Sequence, residues 1–101
     1  MPYFLILVNV KITTKNWGYE ISWRLIDKLR GGSTCGGSHY ASNNGGADIE
    51  TCRLESGMYE LRCEDSWGDG WNGGYITVDG VKFCENFNAG SMTSDIMILG
   101  R

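Results

Sequence analysis

The chain has 101 residues, with 15 glycines and a single proline, which is enough for one small domain rich in turns. Its net charge is −3 and its lysines and arginines form no basic run, which argues against nucleic acid or an anionic membrane as the main partner. Four cysteines in so short a chain predict disulfides and an extracellular compartment, and a single histidine, His39, excludes a Cys/His zinc site of ordinary spacing. We therefore expect residues 1–101 to form one secreted domain.

Residues 1–14 contain an apolar strand, and its first half is apolar on both faces, as in a strand between two layers. The apolar run is too short to cross a bilayer and lacks the flanks of a signal peptide, so we expect a leader already removed or a segment of a longer protein. Two interpretations stay open: a central strand of a sandwich, or an arm that completes the sheet of a second subunit. The residues assigned to self-assembly are Tyr3, Phe4, Leu5, Ile6, Leu7 and Val8.

The next segments predict a strand and then a long loop. Residues 19–25 alternate apolar and polar side chains, which favours a half-buried strand over a short amphipathic helix. Residues 31–46 are glycine-rich and polar, which predicts a loop that is held by Cys35.

The second half of the chain predicts short strands at residues 47–54, 58–64, 75–78, 81–84 and 94–99. The Asp79-Gly80 pair between two β-branched runs is a strong hairpin signal. About seven to eight short strands in a chain of this size predict an all-β, antiparallel sandwich of jelly-roll-like type. Among the possible cysteine pairings we favour Cys35–Cys52, which would hold the glycine loop, and Cys63–Cys84, which would bracket residues 64–83.

The central loop, C-E-D-S-W-G-D-G-W-N-G-G-Y at residues 63–75, predicts a calcium site. Its glycines allow carbonyl and carboxylate oxygens to turn toward one point, and calcium takes about six to eight oxygen ligands. The alternative is a glycine turn whose acids cap backbone amides. The loop leads into a strand rather than a helix, which excludes a dinucleotide site, and its acid spacing does not fit an EF-hand. The predicted ligands in this loop are Asp65, Asp69 and Asn72.

Two segments resemble a secreted β-sandwich module of microbial and algal surface and matrix proteins. Residues 13–23, T-T-K-N-W-G-Y-E-I-S-W, resemble the pattern T-x-D-x-Y-P-x-E-x-S-W, with Lys15 and Gly18 in place of the usual Asp and Pro. Residues 57–73 resemble its companion, which ends in D-S-[YW]-G-D-G-W-N-G. The resemblance implies a sandwich fold and an extracellular location, and it implies no particular activity. If the usual Asp is a metal ligand, its replacement by Lys15 weakens the site or shifts it to Glu20.

These features favour a non-catalytic protein, because the loop acids face no acid from another element and no nucleophile–base pair is recognisable. The first hypothesis is a calcium-stabilised building block of a cell-surface or matrix assembly, which forms filaments through the N-terminal strand and has itself or neighbouring matrix proteins as partners. The alternative is a calcium-dependent carbohydrate-binding module that stacks sugar rings on Trp67 or Trp71. An exposed tryptophan beside the loop would favour the second hypothesis.

Overall fold

The computed structural model describes residues 5–15, 20–38 and 47–100, so the predictions for Tyr3, Phe4 and His39 lie outside the described residues. In the described residues, eight strands form two four-stranded antiparallel sheets, with the orders β4-β1-β6-β7 and β3-β2-β5-β8. The strands are β1 (Leu5–Thr13), β2 (Ile21–Asp27), β3 (Ser33–Ser38), β4 (Ala47–Glu55), β5 (Gly57–Asp65), β6 (Tyr75–Val78), β7 (Val81–Phe83) and β8 (Met92–Leu99). Within these ranges, no helix is long and apolar enough to cross a bilayer.

The connections between strands give the sandwich its topology. The β2–β3 and β6–β7 connections are hairpins within one sheet, whereas the other connections cross from one sheet to the other. The hairpin between β6 and β7 turns at Asp79 and Gly80, both of which adopt positive φ. The predicted antiparallel sandwich is therefore confirmed.

The core lies between the sheets and follows the alternation of the strands. In β1 the inward side chains Val8, Val10 and Ile12 are fully buried, and in β2 Ile21, Trp23 and Leu25 are buried in the same way. This alternation confirms a strand rather than a helix at β2, because a helical period would bring Ser22 or Arg24 into the core.

Both predicted disulfides are confirmed, and each one joins the two sheets. Cys35 on β3 is bonded to Cys52 on β4, which closes one side of the sandwich. Cys63 on β5 is bonded to Cys84, which follows β7 on the opposite side. The covalent links therefore hold the sheets together at two separate places.

One predicted loop is in part a strand. Residues 31–46 were expected to be irregular, but Ser33–Ser38 pair with β2 as the edge strand β3. The strand has no apolar alternation, and it is held instead by its ladder to β2, by the Cys35–Cys52 bond and by a hydrogen bond from Thr34 Oγ1 to the carbonyl of Leu25. The Gly31-Gly32 pair, which directly precedes β3 in the β2–β3 connection, is the sequence signal that could have revealed the hairpin.

Candidate metal centre

Three carboxylates meet at one end of the sandwich. Glu20 directly precedes β2, Asp65 is the last residue of β5, and Asp69 lies in the loop that leads from β5 to β6. The Ile21–Asp65 pair in the β2–β5 ladder places the start of one strand beside the end of the other. One oxygen from each of the three carboxylates lies within 4.8 Å of the others. The cluster therefore gathers three of the four residues that were predicted from the sequence as metal ligands. The expectation that the loop acids face no acid from another element was wrong, because Glu20 faces both of them.

The loop at residues 66–74 is held in place by a second loop, residues 84–91. The amide of Gly70 donates to the carbonyl of Gly90 at 3.1 Å, and the amide of Gly90 donates to the carbonyl of Gly68 at 2.9 Å. The amide of Trp71 donates to the carbonyl of Phe87 at 2.7 Å. This pairing was not predicted from the sequence. The Cys63–Cys84 bond, which brings the second loop to β5, was the signal that could have indicated it.

Gly70 is required where the two loops touch. Its φ is +78°, and a Cβ atom at this position would lie 2.7 Å from the amide nitrogen of Ala89 and the carbonyl carbon of Asn88. Both contacts involve backbone, which cannot rotate away. The loop pairing therefore depends on a glycine at position 70.

The cluster is electrostatically unfavourable without a cation. Glu20 and Asp65 keep only 8% and 3% of their surface exposed, whereas Asp69 is exposed. Burial, together with the negative charges of Asp65 and Asp69, raises the pKa of Glu20. Burial and the adjacent carboxylate of Asp69 also raise the pKa of Asp65, although its Oδ2 accepts a hydrogen bond from the Asp69 amide at 2.9 Å. Buried like charges of this kind are stabilised by a bound cation or by a proton.

The donor set fits a hard cation. All three groups are carboxylates, and within the described residues none of them forms a salt bridge with a lysine or an arginine. The Glu20 carboxylate is more than nine-tenths buried and lies against the other two acids. Oxygen-only sites suit calcium or magnesium rather than zinc or copper.

The other predicted site residues lie around this cluster. Asn72 has φ +51° in the turn that leads back to β6, and its role as a ligand stays a prediction. Trp67 is 75% exposed, in the same loop as Asp69. Trp71 is fully buried, its Nε1 donates to the carbonyl of Glu64, and its ring packs near Phe87. A ring with no exposed surface cannot stack on a ligand from solvent, so only Trp67 remains a candidate for sugar stacking.

The described residues among those assigned to self-assembly lie at the opposite end of the sandwich. Leu5, Ile6, Leu7 and Val8 belong to β1 and pair with β4 of the same chain, which is the central-strand interpretation. Val8 is buried, but Leu5 and Leu7 are 59% and 60% exposed on the outer face. The β6 strand pairs only with Val10–Thr13, so the first residues of β1 have a described neighbour on one side only.

Comparisons with known protein families, curated proteins and solved structures found no match for this chain.

Proposed function

We propose that this protein is a non-catalytic, extracellular building block of a cell-surface or matrix assembly, stabilised by calcium at Glu20, Asp65 and Asp69 and assembled by exchange of β1 between copies. The observation that carries the proposal is the position of β1. Among the described strands, β1 comes first in the chain, lies between β4 and β6, and is joined to β2 by residues 14–20.

Exchange of β1 needs no new contacts. The strand contributes Val8, Val10 and Ile12 to the core, and its ladder with β4 extends over all nine of its residues. A β1 strand from a second copy can form the same ladder and bury the same side chains, which is the basis of domain swapping. When each copy donates its strand to one neighbour and accepts a strand from another, the contact is heterologous and can propagate into a filament.

Two further observations support assembly outside the cell. Leu5 and Leu7 leave apolar surface on the part of β1 that has a described neighbour on one side only, and exposed strand edges with apolar side chains are surfaces that a neighbouring chain commonly covers. The two disulfides are typical of proteins in an oxidising, extracellular compartment. The sequence resemblance to surface and matrix modules agrees with this location.

Calcium has a structural role in this proposal. Its carboxylate ligands come from the residue before β2, the end of β5 and the β5–β6 connection, so the ion would hold the start of β2 against the paired loops. Bound at this place, calcium would offset the repulsion among the three acids and fix the end of the sandwich.

A cross-strand disulfide tests exchange in the full-length chain. Asn9 and Thr51 are direct neighbours in the β1–β4 ladder, and both side chains are exposed. The amide and carbonyl of Asn9 bond to Asp79 rather than to β4, so the pair is not hydrogen-bonded and its Cα atoms lie about 4.5 Å apart, close enough for a disulfide. The variant Asn9→Cys/Thr51→Cys is folded, oxidised and analysed on a non-reducing gel.

A covalent ladder of multimers is expected if β1 is exchanged, because each new disulfide then joins two copies. The single variants Asn9→Cys and Thr51→Cys control for random oxidation and should give no ladder. A product that consists only of intramolecularly bonded monomer would overturn the assembly proposal.

The exposure of Trp67 favours a second candidate function, calcium-dependent carbohydrate binding. A flat aromatic ring beside a calcium ion can stack on a sugar face while sugar hydroxyls bind the ion. A glycan panel is screened with calcium and with chelator. Binding that requires calcium and is lost in Trp67→Ala would support this candidate, whereas equal results for the variant and the unmodified chain would exclude Trp67 as the platform.

A further inference from the structure

The β8 strand is an unprotected sheet edge. It forms one border of the second sheet and, among the described strands, pairs only with β5. Its eight residues contain one charged side chain, Asp95. On its outer face, Met92, Ile96 and Ile98 are each at least half exposed. A long edge strand with apolar side chains and few charges is a template for pairing with another strand.

The other sheet edges are protected in recognisable ways. The β4 edge contains four charged residues, β7 is only three residues long and contains Lys82, and β3 is a short glycine-containing strand covalently joined to β4 by the Cys35–Cys52 bond. Short, charged or covered edges are the usual means by which monomeric β proteins prevent edge pairing. Among the described strands, β8 has none of these protections.

The apolar side chains at β8 form a continuous patch on the outer face of the sheet. Ile98 lies directly opposite Met58 of β5, and Ile96 lies two residues away on the same face of β8. Ile98 is 52% exposed, Met58 38% and Ile96 57%. On the inner side of the same edge, a groove of about 290 Å³ is lined by Val81, Phe83, Met97 and Leu99, among others. Apolar surface therefore lies on both sides of the free β8 edge.

We propose that two copies of the protein pair through β8, antiparallel, about a two-fold axis that passes beside Met97. The two four-stranded sheets then become one continuous sheet of twice the width. In this register Met97 lies opposite Met97 of the second copy, and Ile96 lies opposite the second copy's Ile98. The apolar patches merge, and the side grooves are covered.

The arrangement of β8 favours a second copy as the occupant. Ile96 and Ile98 flank Met97 symmetrically, so a two-fold axis at this residue matches each isoleucine with the other. A two-fold axis at Ile96 would place Ile98 opposite Ser94 of the second copy. An axis at Asp95 would place the two Asp95 carboxylates directly opposite each other, which is unfavourable. The pairing depends neither on the exchange of β1 nor on calcium, so it can fail or hold independently of the proposed function.

A mixing experiment tests the register in the full-length chain. Ile96→Cys and Ile98→Cys chains carrying different mass tags are oxidised separately and as an equal mixture, then separated on a non-reducing gel. Only the mixture brings the two cysteines directly opposite each other, so a disulfide-linked heterodimer is expected there and little homodimer is expected in either separate sample. Absence of the heterodimer, or homodimers formed as readily as heterodimers, would overturn the proposal.

Sedimentation of single-charge variants tests whether the edge itself drives association. Ile96→Lys places a charge on the outer face of β8, opposite Glu60 of β5. The matched control, Ile49→Glu, places a charge on β4, opposite Lys11 of β1. Ile49 is more exposed than Ile96. Both variants should retain the melting temperature of the unmodified chain. We expect Ile96→Lys to remove the dimer and Ile49→Glu to retain it. A monomeric unmodified chain up to millimolar concentration, or a dimer that persists in Ile96→Lys, would contradict β8 pairing.

Discussion

The acidic cluster shows how three side chains determine the electrostatics at one end of the domain. Asp65 is buried at the end of a central strand, where a carboxylate without a counter-charge is costly. Its neighbours Glu20 and Asp69 are also acids, so the described residues supply no counter-charge from within the cluster. The fold keeps these groups together through its strand register and its loop pairing, and a cation or protons would then be needed to stabilise them.

The first prediction concerns Asp65→Asn. In millimolar calcium the unmodified chain should melt at a higher temperature than in excess chelator, because an ion that binds only the folded state at about 100 times its Kd adds roughly 2.7 kcal/mol. In a domain of this size that corresponds to roughly 10 °C or more. Asp65→Asn should lose this increase in melting temperature with calcium (the calcium increment). In chelator it should melt no lower than the unmodified chain, because the substitution removes one of the repelling charges.

The control for this prediction is Asp95→Asn, which removes an exposed acid outside the cluster. This variant should keep the full calcium increment. Equal melting curves of the unmodified chain with and without calcium would contradict the metal site and leave the loop as a glycine turn.

The second prediction concerns pH. The pKa values of Asp65 and Glu20 are raised above their ordinary values of 3.8 and 4.5. Without calcium, their contribution to the free energy of unfolding is therefore fully present below these ordinary values and is lost as the pH rises through the raised pKa values. Calcium requires the ionised carboxylates, so the calcium increment in melting temperature should grow with rising pH and vanish in acid.

This pH dependence is best measured as the difference between melting curves with calcium and with chelator. Hydrogen bonds from Arg30 and Leu29 lower the pKa of Asp27 in spite of its burial. Protonation of Asp27 in acid therefore lowers the free energy of unfolding, both with calcium and with chelator. Its effect cancels in the difference. A calcium increment that stays constant between about pH 4 and pH 8, across the range in which carboxylates titrate, would argue against carboxylate ligands.

At the scale of elements, the third prediction concerns the contact between the two paired loops. Gly70→Ala adds a Cβ that meets the backbone of residues 88 and 89, and it also has to adopt φ +78°. Gly80→Ala in the β6–β7 hairpin requires a similar φ of +83°, but nothing lies within 4 Å of the added Cβ. The conformational cost alone is about 1–2 kcal/mol, so Gly80→Ala should lose about that much and Gly70→Ala clearly more.

Urea unfolding of both glycine variants measures this difference. The Gly70→Ala variant should also bind calcium more weakly, because separation of the paired loops displaces Asp69. Equal losses of stability in the two variants would show that the loops are not in contact in solution.

The elements that could be predicted from the sequence are those whose burial follows the strand period. In β2 and β5, alternating side chains are buried because each strand has one face on the core, and this alternation is visible in the chain itself. The β3 strand could not be recognised in this way, because Ser33–Ser38 contributes almost no apolar surface and owes its conformation to the neighbouring strand and to a disulfide. Tertiary context determines the structure of such a segment.

The same limit applies to the site. Asp65 and Asp69 could be predicted because they lie in one glycine-rich loop, and Glu20 because of the motif resemblance. The loop at residues 84–91 could not be predicted as a support, since its contacts are backbone hydrogen bonds that leave no side-chain pattern. Trp71 was assigned to ligand stacking because tryptophans near a polar loop can serve as platforms, but its full burial gives it a role in the core.

At the scale of the whole molecule, the two disulfides have the same mechanical role but different relations to the site. Both join one sheet to the other, with loops of 17 and 21 residues, so each should stabilise the fold by about 3 kcal/mol through the entropy of the unfolded chain. Only Cys84 begins the loop that pairs with the metal-site loop, whereas Cys35–Cys52 lies on the opposite side of the sandwich.

The last prediction follows from this difference. Cys35→Ser/Cys52→Ser and Cys63→Ser/Cys84→Ser should lower the free energy of unfolding by similar amounts, measured by urea unfolding in chelator. Only Cys63→Ser/Cys84→Ser should also weaken calcium binding, measured by titration of the folded protein below its unfolding transition, because residues 84–91 then lose their covalent attachment to β5. Each double variant is the control for the other, since both remove one inter-sheet bond of comparable loop length. If both variants bound calcium as tightly as the unmodified chain, the second loop would not be the support of the metal centre.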